Sequence, residues 1–144
     1  ADEARGIIYA PVGSASPDFY GGMRPGDNLY SSSLVALDAA TGRRIWHFQI
    51  VRHDVWDYDV SAPPLLAELP RGGTTVPAVV QNTKQGFVFV FDRTNGQPLF
   101  PIEERPVPQA GALPGERLSK TQPFPVKPAP LVPIGPVTPE DAWG

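Results

Sequence analysis

The chain has 144 residues, 41% hydrophobic and 19% charged, with a formal net charge of −3. That length suits one modest domain, and the lack of a basic stripe excludes a nucleic-acid partner. No run of 18 apolar residues occurs, so no transmembrane helix is expected within these residues. The absence of cysteine excludes disulfides and thiolate metal sites.

In chain order, Ala1 to Arg5 lacks the basic-then-apolar pattern of a signal peptide. A strand follows at once over residues 6–11, as expected of a segment cut from a longer sequence. Residues 12–32, rich in Gly, Ser, Pro and Asn, read as a long loop. Ser33 to Asp38 reads as a strand and Ala39 to Gly42 as a tight turn. Arg43 to Val51 alternates, with Ile45, Phe48 and Ile50 mixed with Arg44, His47 and Gln49, and Trp46 out of phase. Residues 52–64 form a second loop, polar and aromatic. Leu65 to Leu69 reads as a short strand, Pro70 to Gly73 as a turn, and Val76 to Gln81 as a strand. Asn82 to Gly86 turns into the apolar run Phe87 to Phe91, a strand buried on both faces. Asn95-Gly96 signals a hairpin turn. Of 19 prolines, 12 lie at or after Pro98, so the tail from Pro101 to Pro139 is expected to be irregular. No amphipathic helix is evident, and the fold class is all-β.

A motif occurs twice, 54 residues apart. Ala36-Leu37-Asp38-Ala39-Ala40-Thr41-Gly42-Arg43-Arg44-Ile45-Trp46 is matched by Val90-Phe91-Asp92-Arg93-Thr94-Asn95-Gly96-Gln97-Pro98-Leu99-Phe100. Asp38 and Thr41 are placed to hydrogen-bond their own turn, and Gly42 to supply a positive φ. Trp46 then lands at a fixed distance from that turn, where its ring can wedge between neighbouring sheets and its N–H can reach a carbonyl. A repeat of this size is the mark of a propeller blade.

The first copy resembles the tryptophan-docking motif of the quinoprotein dehydrogenases, eight-bladed β-propellers that use pyrroloquinoline quinone (PQQ). Further stretches resemble the membrane-bound glucose dehydrogenase branch of that family. The resemblance runs through Tyr30-Ser31-Ser32-Ser33, His53-Asp54-Val55-Trp56-Asp57-Tyr58-Asp59-Val60, Thr83-Lys84-Gln85-Gly86, Pro106-Val107-Pro108-Gln109, Ser119-Lys120-Thr121-Gln122-Pro123 and Asp141-Ala142-Trp143-Gly144. An eight-bladed propeller needs roughly 400 residues, so the chain is expected to hold about two blades. Residues 1–105 would carry blade strands and the catalytic loop, and residues 106–144 a proline-rich extended segment of the same domain.

The resemblance implies oxidation of an aldose or polyol hydroxyl, with electrons passing to ubiquinone in the full-length enzyme. It implies a periplasmic location, tethered to the inner membrane. It places the catalytic carboxylate on Asp57, which would take the hydroxyl proton, and a quinone-binding ammonium on Lys84. Calcium or magnesium is the implied metal, with Asp57 a ligand. Where the family usually shows Gly-Asn-x-Thr-Pro-Asp, this chain reads Gly13-Ser14-Ala15-Ser16-Pro17-Asp18, so Ser14 and Ser16 become the candidate metal residues. Asp54 and Asp59 are weaker carboxylate candidates. Trp56 and Tyr58 flank Asp57 and suit either a flat cofactor or loop packing. His53 is expected to position its loop. No Gly-x-Ser-x-Gly elbow or Gly-x-Gly-x-x-Gly loop occurs, against a hydrolase, a nicotinamide or a flavin. The alternatives are a non-catalytic propeller scaffold and a carbohydrate-binding β-domain.

Overall fold

A computed structural model describes residues 1–133. The string Asp141 to Gly144 lies outside the described residues. Strands β1 (Ile7–Val12), β2 (Ser33–Asp38) and β3 (Arg44–Gln49) form one antiparallel sheet. Strands β4 (Leu65–Arg71), β5 (Thr74–Asn82) and β6 (Val88–Asp92) form a second, and β7 (Ile102–Pro106) pairs with β8 (Thr121–Pro125) in a third. Among the described residues no helix is long and apolar enough to cross a membrane.

The apolar run in β6 serves two cores at once, because strand side chains alternate faces. Phe87, Phe89 and Phe91 join Leu34, Ala36 and Trp46 between the first and second sheets. Val88 and Val90 point the other way, onto Ala78 and Leu99. The aromatic contacts are close: Phe48 lies 4.8 Å from Phe91 and Trp46 6.0 Å from it, centroid to centroid.

Both turns of the repeat form as their residues dictate. Asp38 Oδ1 accepts from the Thr41 amide at 2.7 Å and the Thr41 hydroxyl at 2.7 Å, and Asp92 Oδ1 accepts from Thr94 in the same way. Gly42 and Gly96 take φ of 71° and 76°. The Trp46 indole N–H donates to the Arg93 carbonyl at 3.1 Å, and Tyr9 donates its hydroxyl to the same oxygen at 2.8 Å. Trp46 of the first sheet is thereby seated on the turn of the second.

Two expectations are corrected. Trp46 is not out of phase: positions 46, 48 and 50 alternate onto one face, and a bulge between Ala36 and Leu37 leaves Ile45 without a partner in the β2–β3 pairing. Ile45 is left 42% exposed, while Trp46, Phe48 and Ile50 share the core face. The proline-rich stretch, in turn, is not wholly irregular, since β7 and β8 pair across it. Val107 donates to the Lys120 carbonyl and Val126 to the Pro101 carbonyl, which makes 120, 122, 124 and 126 the hydrogen-bonded positions of β8 in this register. Pro123 and Pro125 fall on the alternate positions, where an N–H would face away from β7 and none is needed.

Candidate functional site

The loop after β3 is held by a buried carboxylate. Asp54 is fully buried, and its two oxygens accept from the Trp56 amide at 2.9 Å, the Tyr58 amide at 2.8 Å and the Ser32 hydroxyl at 3.0 Å. Arg24, in the β1–β2 loop, reaches across to donate to the Asp54 carbonyl and to Asn28 Oδ1. Buried His53 is also structural: its Nδ1 bonds the Gly26 carbonyl at 2.7 Å, and a Cβ on Gly21 would stand 2.2 Å from its Nε2. The expectation that His53 positions the loop agrees with this geometry. Two hubs thus clamp residues 13–32 to residues 52–60.

Asp57 sits at the apex of the clamped loop with φ of 58°. A non-glycine residue in the left-handed region is uncommon, and such residues gather at functional sites. Lys84, on the turn before β6, donates to the Asp57 carbonyl at 2.8 Å and to Asp57 Oδ2 at 3.2 Å. It also donates to Asp59 Oδ2 at 2.9 Å. The structure therefore brings together the two residues singled out as catalytic and cofactor-binding, which stand 27 apart in sequence.

Ser14 joins this cluster through Asp59. Its amide and hydroxyl both donate to Asp59 Oδ1, at 2.7 and 3.1 Å. The Ser14 amide, then Lys84 and the Ser14 hydroxyl hold the Asp59 carboxyl down at about 2 against a burial cost. Lys84 is raised above its ordinary value by its bond to Asp59 first and to Asp57 second. Ser16 is exposed beside Pro17 and stands outside this hydrogen-bond network. Among the described residues no group of three or more His, Cys, Asp or Glu is arranged to hold a metal. The weight carried by Asp59 was missed in the sequence, where it ranked only as a neighbour of Asp57.

Beside the cluster lies a cavity of about 460 Å³, lined by Trp56, Tyr58, Lys84, Gln85, Phe87 and Phe124 among others. Its volume is that of a small-molecule site. The Trp56 and Tyr58 rings lie 5.9 Å apart and 23° from parallel along the wall. Gln85 Oε1 is buried without a hydrogen-bond partner. An ammonium on the rim, a near-parallel aromatic pair and an unpartnered amide oxygen fit a flat, anionic, hydrogen-bonding group such as PQQ. The oxygen donors suit a hard cation in kind, but the described residues do not make a coordination shell by themselves. The β7–β8 ribbon closes the far wall with Gln122 and Phe124, a contribution hidden in the sequence by the proline content.

The family model described as "PQQ: Glucose/ethanol/alcohol dehydrogenase, beta-propeller domain" matches residues 1–144. The chain is 44% identical over 145 residues to the glycerol dehydrogenase large subunit of Gluconobacter oxydans (strain 621H), covering 99% of this chain and 19% of that protein. It is also 44% identical to quinoprotein glucose dehydrogenase A of Acinetobacter calcoaceticus, covering 96% of this chain and 18% of that protein. Among solved structures, the quinohemoprotein alcohol dehydrogenase of Comamonas testosteroni superposes with a TM-score of 0.65 at 34% identity, over 85% of this chain and 18% of that one. The chain thus spans about a fifth of the length of the curated relatives it matches.

Proposed function

The chain belongs to the family of PQQ-dependent glucose/ethanol/alcohol dehydrogenases, as part of its β-propeller domain, and from that premise we propose that it carries the proton-transfer part of a sugar or polyol dehydrogenase. The single observation that supports this most is the Asp57–Lys84 pair, whose lysine lines the Trp56–Tyr58 cavity.

When bound, PQQ supplies the two-electron acceptor for the hydride that leaves the substrate carbon. The work of this chain lies around that transfer. Asp57 accepts the hydroxyl proton, so that the C–O bond becomes a carbonyl as the hydride departs. Its position is fixed by the left-handed backbone and by the Asp54 clamp beneath it. Lys84 presents a positive charge where negative charge grows. Trp56, Tyr58 and Phe124 wall the cavity with aromatic surface. Asp57 is also the residue we assign to calcium or magnesium. Ser14 is engaged with Asp59 and Ser16 stands apart, so neither serine has the same support.

The relatives named for glycerol and for glucose, at equal identity, favour a polyhydroxylated substrate, an aldose or a polyol. We place the complete enzyme in the periplasm, tethered to the inner membrane and passing electrons to ubiquinone. The test is Asp57→Asn in the complete enzyme reconstituted with PQQ and calcium. Dye-linked oxidation of glucose or glycerol should fall by at least about a hundredfold, the scale of a lost general base, while PQQ absorbance titrations stay close to wild type. Normal turnover by the variant would leave Asp57 as a loop residue and favour the scaffold alternative.

A further inference from the structure

Lys84 meets three acceptors at once: the Asp57 carbonyl at 2.8 Å, Asp59 Oδ2 at 2.9 Å and Asp57 Oδ2 at 3.2 Å. An ammonium has three N–H donors, so its capacity is full. Any acceptor oxygen that Lys84 is to bind must displace one of these. The Asp57 carboxylate bond is the longest of the three. Asp59 is the least free to let go, because its other oxygen is held by the Ser14 amide and hydroxyl at 2.7 and 3.1 Å. The backbone is pressed against that oxygen as well: a Cβ on Gly13 would stand 2.8 Å from it.

Building on the functional reading above, we propose that Asp59 is a positioning residue that keeps Lys84 anchored while Lys84 exchanges its bond to the Asp57 carboxylate for one to a quinone oxygen. The exchange couples two events. Lys84 gains its cofactor contact, and Asp57 loses the partner that masks it, leaving its carboxylate open to a substrate hydroxyl. Ser14, through Asp59, sets where the ammonium can stand.

Two measurements on the complete enzyme test this. In the apoenzyme, competitive acetylation followed by mass spectrometry reads the reactivity of Lys84. Asp59→Asn should raise Lys84 labelling several-fold, whereas Asp57→Asn should change it by less than about twofold. Equal effects, or the reverse order, would overturn the anchoring role. In PQQ titrations followed by absorbance, Asp59→Asn should weaken binding about tenfold, the scale of a hydrogen bond to a charged group. In a Lys84→Met background the same change should have less than about a twofold effect, because the coupling partner is gone. Ser14→Ala, which leaves every carboxylate in place, should follow the same pattern more mildly. An Asp59→Asn loss that persists unchanged without Lys84 would make its role merely structural and overturn the proposal. No PQQ binding by the wild type, with the labelling order intact, would instead overturn the functional reading and leave the anchoring standing.

Discussion

At the scale of single residues, two aspartates two positions apart have different work. Asp57 offers Lys84 its carbonyl and one carboxylate oxygen. Asp59 is committed on both oxygens, to Ser14 and to Lys84. That commitment has a pH signature. The Asp59 carboxyl stands at about 2 in the folded chain against an ordinary 3.8. The folded state therefore resists protonation more than the unfolded state does. Its contribution to stability is complete above the unfolded value and is lost as pH falls through the folded one. With the side chain 31% exposed, solvent screening reduces the contribution to about 1–2 kcal/mol. Urea unfolding between about pH 5 and pH 2 should show wild type losing that amount more than Asp59→Asn. Parallel pH profiles would count against it. Asp57 and Lys84 were legible in the sequence because a local string carries each of them. The role of Asp59 was not, because it depends on loops around residues 14, 59 and 84 converging in space, and no local pattern encodes that.

At the scale of elements, the repeated turn is the device that joins the sheets, and its two copies are not equivalent here. Gly42 and Gly96 share a left-handed backbone, but a Cβ at Gly42 meets open space while one at Gly96 stands 2.7 Å from the Trp46 ring. Gly42→Ala should cost only the backbone strain, about 1–2 kcal/mol. Gly96→Ala should cost that and a further 1–3 kcal/mol or so, because the docked indole must shift. Denaturant midpoints of the two variants give the difference, and equal losses would mean that Trp46 is not seated on the Gly96 turn. Six strands and both turns could be read from alternation and turn chemistry. The parity of 46, 48 and 50 also sets the phase of β3, but the bulge that leaves Ile45 unpaired with β2 has no local signal. The pairing of β7 with β8 was obscured for a different reason. Counting prolines predicts disruption, but spacing them at 123 and 125 places every missing donor on the unpaired side of the ribbon.

At the scale of the whole molecule, a blade is stable only when both of its faces are covered. The first sheet covers one face of the second through Trp46, Phe48 and the Phe87–Phe91 row. The other face shows Leu69, Val80, Val88, Val90 and Phe100 around an apolar hollow, with the exposed Val126 at its edge. Phe100 occupies the position in the second motif that Trp46 holds in the first, and it is only half-buried. In a propeller the next sheet would receive Phe100 as the second sheet receives Trp46. Phe100→Ala in the complete enzyme should then cost about 3–5 kcal/mol, the range for emptying a buried aromatic site. A residue left in solvent would cost within about 0.5 kcal/mol. Thermal unfolding of Trp46→Ala and Phe100→Ala side by side separates these cases. Comparable losses would show the ring continuing past residue 100 by the same docking geometry, whereas a loss confined to Trp46→Ala would show that the packing seen between these two sheets does not propagate to a third.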